Sequence, residues 1–155
     1  MKFKKPMLVV NDMEKSKIFY KDVLRLRVIM DFGANVTLTG GVTLQTKESW
    51  KEFIQKDDNE ISFNGNNSEL YFEEDNFDSF INKLTSINCI EYVHDVYEHK
   101  WGQRVVRFYD LDKHIIEVGE NLKTVCKRFL DSELNVEETA KRMDVPVKFV
   151  QASIK

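Results

Sequence analysis

The chain has 155 residues, 42% apolar and 32% charged, a length that supports one domain, or one domain with a small appendage, with a core of its own. Its 12% aromatics, including 11 Phe, exclude a disordered chain. A net charge of -3 excludes a global pull on nucleic acid or an anionic membrane, and the early apolar run Met7 to Val10 is too short for a signal-peptide core or a membrane span, so a cytoplasmic protein is expected.

Lys5 to Val10 predicts a short strand, and Asp12 is the expected N-cap of a helix running to Leu24, with Ile18, Phe19, Tyr20, Val23 and Leu24 as its apolar positions. Three β-branched runs follow, Leu26 to Phe32, Asn35 to Thr39 and Val42 to Thr46, punctuated by Gly33 and Gly40-Gly41, the last two forming a tight hairpin. A polar stretch with a short helix around Trp50, Phe53 and Ile54 leads to a strand over Ser68 to Glu73. Asp75 or Asn76 then caps a helix with Phe77, Phe80, Ile81 and Leu84 at helical spacing. Ile90 to Tyr97, Gln103 to Tyr109 and His114 to Gly119 complete a second set of three strands, with Gly102 and the turn Asp110-Leu111-Asp112-Lys113 between them. The order β-α-β-β-β therefore occurs twice. Asp12 and Asp75 open the two helices 63 residues apart, with Ser16 opposite Ser79 and Ile18 opposite Ile81, which favours an internal duplication.

From residue 121 the pattern is helical, with Leu122, Val125, Cys126, Phe129 and Leu130 on one face and Pro146 suited to the first turn of a last helix. The charge divides at the same point: 16 basic and 21 acidic side chains over residues 1–120, 7 and 5 over residues 121–155. The tail resembles a helix-turn-helix, but Lys148, Gln151, Ser153 and Lys155 are all that its last helix offers a phosphate backbone, so packing on the body or across a dimer is expected over nucleic-acid binding. Cys89 and Cys126 lack C-x-x-C spacing and read as two reduced, packed thiols.

Val10-Asn11-Asp12 through Ser16, Phe19-Tyr20 and Leu24 resembles the opening V-x-D-x-x-x-S-x-x-F-Y-x-x-x-L of the vicinal oxygen chelate superfamily, which holds the glyoxalases, bleomycin-resistance proteins and extradiol dioxygenases. Phe108-Tyr109-Asp110-Leu111-Asp112-Lys113-His114-Ile115-Ile116-Glu117-Val118 is similar to its closing F-x-D-P-D-G-x-x-I-E-V, with Leu111 for Pro and Lys113 for Gly. The resemblance implies an α+β fold in which two βαβββ modules, about residues 1–46 and 68–120, form a shared cleft in a domain over 1–120, followed by a helical appendage over 121–155. It also implies a homodimer and a small-molecule ligand.

In the metalloenzymes of that superfamily four cleft-facing side chains hold one divalent ion. The resemblance places those positions at Lys5, Gln45, Glu69 and Glu117, with Lys5 and Glu69 at the starts of equivalent strands. Lys5 has no lone pair to give a metal at neutral pH. Two readings stay open: Gln45, Glu69 and Glu117 hold Ni²⁺, Co²⁺, Mn²⁺, Zn²⁺ or Mg²⁺ with waters completing the shell, or the Lys5 ammonium pairs with Glu69 or Glu117 in a metal-free cleft.

Glu117 alternates away from Ile116 and Val118 and is the candidate base of a glyoxalase-like lyase or isomerase. Glu69 shares a strand face with Tyr71, and Arg107 shares one with Tyr109. Arg107 either holds an anionic group of the ligand, with the two tyrosines over its apolar part, or closes a cross-strand salt bridge to a Glu. His99 and Trp101 fall on a segment that the resemblance places near the cleft mouth; His94 and His114 show no metal spacing. The functions that follow are a glyoxalase-like lyase or isomerase, a metal-free binding protein of the bleomycin-resistance type, or a ligand sensor with a DNA-contacting tail.

Overall fold

A computed structural model describes residues 1–154, so Lys155 of the expected last helix lies outside the described residues. The described chain forms two compact units: residues 1–68 with Tyr109–His114, and Glu69–Phe108 with residues 115–154. No helix among the described residues is long and apolar enough to cross a membrane.

The first unit contains β1 (Met7–Val10), α1 (Met13–Leu24), β2 (Val28–Asp31), β3 (Asn35–Leu38), β4 (Thr43–Thr46) and α2 (Lys47–Ile54). Its sheet has the order β1-β4-β3-β2, with β1 parallel to β4 and the other neighbours antiparallel. Asp12 caps α1 as expected, accepting from the Lys15 N–H. The buried face of that helix is Met13, Ser16, Tyr20 and Val23, whereas Ile18, read above as apolar-face, is 59% exposed. The hairpin between β3 and β4 turns through Thr39–Gly41, with both glycines at positive φ.

The second unit repeats the plan with β5 (Glu69–Glu74), α3 (Phe77–Ser86), β6 (Tyr92–Glu98), β7 (Arg104–Tyr109, its last residue belonging to the first unit) and β8 (Ile115–Glu120), in sheet order β5-β8-β7-β6. Asn76, not Asp75, caps α3, accepting from the Ser79 N–H. The caps are therefore 64 residues apart, and Met13, Ser16 and Tyr20 correspond to Phe77, Phe80 and Leu84, all buried. At this offset Ser16 stands opposite Phe80 and Ile18 opposite Asn82, one residue on from Ser79 and Ile81. Phe80 packs on Phe108 with ring centroids 6.5 Å apart, and Val106, Ile116 and Val118 complete this core.

Strand register corrects a second equivalence. Met7 faces Thr43 across β1 and β4, and Glu69 faces Ile115 across β5 and β8, in each case two residues before Gln45 or Glu117. By register the counterpart of Glu69 is Met7; Lys5 lies in the exposed segment before β1, outside the strand expected to contain it. Cys89 likewise departs from expectation: it is exposed at φ 73°, while Cys126 is buried.

The tail forms α4 (Leu122–Asp131), α5 (Val136–Met143) and α6 (Val147–Ser153). They share a small core of Val125, Cys126, Phe129, Ala140, Met143 and Val150. Asn135 and Glu138 form a reciprocal capping box on α5, and Pro146 stands just before α6.

Candidate functional site

The face of the second sheet turned away from α3 carries a polar cluster centred on Arg107. Alternation along β8 sends Ile116 and Val118 to the core and Glu117 to the opposite face; β7 does the same with Val106 and Phe108 against Arg107. Tyr71 stands beside Glu117 in register on β5. Arg107 Nε donates to Glu69 Oε2 at 2.9 Å, and its Nη2 pairs with Glu117 Oε2. Of the two readings of Arg107, the salt bridge is the one formed, and it is made to two carboxylates.

The two acids titrate in opposite directions. The Arg107 hydrogen bond holds Glu69 below the ordinary carboxylate range. Glu117 is only 5% exposed, and burial pushes its carboxyl up, with the charge of Glu69 adding to the rise against the pull of Arg107.

Sequence reasoning missed two members of this face. The ring Nε2 of His94 lies 3.3 Å from Arg107 Nη1, and Tyr97 continues the same row. Simple alternation puts residues 94 and 97 on opposite faces. Register shifts between Tyr92 and His94, and again between His94 and Tyr97, bring both to the Arg107 side. The row then runs as an aromatic ladder: His94 to Tyr97 at 4.9 Å, Tyr97 to His99 at 4.7 Å, and His99 stacked on Trp101 at 4.0 Å and 10°. Burial, with Arg107 and His94 close by, holds His99 below the usual histidine range, a shift that favours the neutral ring.

Gln103, also missed, ties this ladder to Tyr71. Its carbonyl accepts from Trp101 Nε1 at 3.1 Å, while its amide donates to the Tyr71 hydroxyl and the Glu120 carbonyl, both at 2.9 Å. Gly119 leaves room for that junction, since a Cβ there would lie 2.8 Å from Gln103 Nε2.

The remaining candidates lie in the first unit and are held there by other partners. Lys5 Nζ donates to Thr37 Oγ1 at 2.6 Å. Gln45 accepts from Asn35 Nδ2 at 2.6 Å and donates to Ser49 Oγ. Tyr109, expected beside Arg107, donates to Asn66 Oδ1 at 2.7 Å. His114 is the turn residue expected: its Nδ1 lies 2.9 Å from Asp110 Oδ2, which also accepts from the buried Tyr20 hydroxyl at 2.7 Å. Lys113 takes the positive φ, 66°, at the position where the resemblance expects Gly.

Within the second unit the two carboxylates of the expected donor set are already bridged by the Arg107 guanidinium, which occupies the place a divalent ion would take. Among the described residues, no group of three His, Cys, Asp or Glu side chains could hold a metal.

A family model described as a glyoxalase-like domain matches residues 3–123. Among solved structures, a protein of unknown function from Agrobacterium tumefaciens str. C58 is 35% identical, covering 78% of this chain and 94% of that one with a TM-score of 0.69. A glyoxalase/bleomycin resistance protein/dioxygenase family enzyme from Burkholderia phytofirmans PsJN is 15% identical over 76% of this chain and 96% of that one, with a TM-score of 0.65. A lactoylglutathione lyase from Agrobacterium tumefaciens is 21% identical over 78% and 94%, with a TM-score of 0.59. These last two share the fold. No curated protein matched the chain.

Proposed function

The chain belongs to the glyoxalase-like domain family of the vicinal oxygen chelate superfamily, and from that premise we propose that it binds a small, neutral, oxygen-bearing planar molecule on the Arg107 face, without a resident metal ion. The observation that carries this reading is the joint pairing of Arg107 with Glu69 and Glu117. The guanidinium supplies the positive charge that two facing carboxylates require, and its own charge is thereby spent. An anionic ligand would meet a face with no surplus positive charge, whereas a carbonyl or hydroxyl group needs only hydrogen bonds. Tyr71, Tyr97 and Trp101 are exposed beside it and offer a planar molecule its apolar contact.

A lyase or isomerase is the second reading, favoured by Glu117. A buried carboxylate whose pKa is raised is a stronger base than an exposed one and could take a proton next to a bound carbonyl.

The metal question is tested by elemental analysis, then by calorimetric titration of Ni²⁺, Co²⁺, Mn²⁺ and Zn²⁺. The expected result is no binding at micromolar metal in the wild type. A stoichiometric micromolar site that disappears in Glu117→Gln would overturn the metal-free reading. The ligand class is tested by NMR, following the Trp101 indole N–H, assigned with Trp50→Phe, during titration with neutral 4-hydroxyacetophenone and anionic 4-hydroxybenzoate. The neutral compound is expected to bind more tightly; the reverse order would refute a ligand chosen for neutrality.

A further inference from the structure

The family match ends at residue 123, so nearly all of the tail lies beyond it. We propose that this tail is a built-in support for the ligand face, with Arg128 and Phe129 of α4 as positioning residues that fix the turn Trp101-Gly102-Gln103. The proposal rests on the reading of that face as a ligand site and adds what holds it in shape.

The contact is made at Gly102. A Cβ at that position would lie 2.2 Å from Phe129 Cζ, so the ring occupies the space that only glycine leaves open. Gly102 is also at φ +86°, a backbone conformation that favours glycine on its own account. Arg128 Nη2 donates to the Gly102 carbonyl, and the same nitrogen lies 3.2 Å from Glu120 Oε2. Arg128 Nη1 reaches Glu98 at 3.5 Å, which Arg142 of α5 also approaches, at 3.6 Å. Both guanidinium groups flank the Phe129 ring, at 5.1 and 5.4 Å from its centroid.

One arginine therefore touches the end of β6 at Glu98, the turn at Gly102 and the end of β8 at Glu120. Glu120 is 1% exposed and is shared with Arg104, so its charge is neutralised only while these arginines stay in place. At the end of the turn, Gln103 binds Trp101, Tyr71 and the Glu120 carbonyl. Two bonded steps thus separate the tail from the side chains of the ligand face. A tail serving only its own small core has no need of Arg128 on the turn or of a glycine beneath Phe129.

The test uses full-length protein carrying Trp50→Phe, in which Trp101 is the sole tryptophan. Acrylamide quenching of its fluorescence is compared for Phe129→Ala, Phe129→Leu, Arg128→Ala and Arg128→Lys. Loosening the turn is expected about to double the quenching constant in Phe129→Ala and Arg128→Ala, with Leu and Lys falling between these and the parent. Leu84→Ala, in the α3 core of the same unit, lowers stability without touching the turn and is expected to leave quenching unchanged. Unchanged quenching in folded Arg128→Ala and Phe129→Leu overturns the proposal, as does an equal rise in Leu84→Ala. Because quenching needs no ligand, failure of the 4-hydroxyacetophenone titration condemns the ligand reading alone. A loss of its binding in Arg128→Ala that parallels the quenching supports both.

Discussion

Arg107 is the residue on which the site's electrostatics turn, because its two partners respond to it differently. Glu69 has a lowered pKa from its bond to Arg107, so its stabilisation is present above its ordinary value of 4.5 and is lost as pH falls. Glu117 has a raised pKa from burial, so its ionised form costs stability as pH climbs through the folded value. Removing the guanidinium makes both worse at neutral pH, since two carboxylates then face each other with no cation between them. Arg107→Ala should cost about 2 kcal/mol at pH 7, less than for a fully buried pair because Glu69 is partly exposed. The loss should shrink as pH falls towards 4.5 and the acids take up protons. Urea unfolding at pH 7 and pH 5 measures this. An equal loss at both values would assign the effect to packing of the arginine stem, not to charge.

At the scale of elements, the turn before β7 makes a prediction that separates backbone strain from steric conflict. Gly33 and Gly102 both sit at positive φ, but a Cβ on Gly33 meets nothing within 4 Å, whereas one on Gly102 runs into the Phe129 ring. Gly33→Ala should therefore cost only the backbone term, about 1 kcal/mol, and Gly102→Ala should cost that plus overpacking, about 3 kcal/mol in all. Thermal unfolding distinguishes them, and equal losses would mean that Phe129 moves aside without penalty. The same scale shows what the sequence makes legible. Helical spacing, turn residues and strand runs carry the doubled β-α-β-β-β order, because each is a local signal. Helical spacing puts both Ile18 and Tyr20 among the apolar positions of α1, but only Tyr20 is buried, its hydroxyl bonded to Asp110, 90 residues later in the chain, and spacing alone does not show which side the core lies on. At the site, alternation shows that Glu69 shares a face with Tyr71 and that Glu117 turns away from Ile116 and Val118, while the family resemblance is what singles out Glu69 and Glu117. Alternation does not show His94 and Tyr97, because two register shifts in β6 change which residues share a face, and a bulge leaves no mark in a two-residue period. Gln103 was hidden for a related reason: its role is to join Trp101, Tyr71 and the Glu120 carbonyl, and that junction exists only after the sheet forms.

At the scale of the whole molecule, the first sheet ends on an unusual edge. β2 is one of its two edge strands, and Val28, Ile29 and Met30 are 42%, 62% and 49% exposed, with Phe32 just beyond at 72%. Edge strands are ordinarily blunted by charge, proline or a covering element, because unpaired backbone beside apolar side chains recruits another strand. Here the one charge in the strand, Asp31, is bonded to Lys17, so little opposes association. A second copy meeting this edge across a twofold axis would present the same apolar residues in return, the self-complementarity that a closed dimer requires. The homodimer expected from the family resemblance therefore has a physical candidate for its interface. Sedimentation equilibrium at micromolar concentration should return a dimer for the wild type. Ile29→Lys combined with Phe32→Glu should shift it to monomer with unchanged far-ultraviolet circular dichroism, since both side chains are exposed in the isolated chain. A monomeric wild type at high micromolar concentration would exclude the dimer, and a dimer indifferent to both substitutions would exclude β2 as its seat.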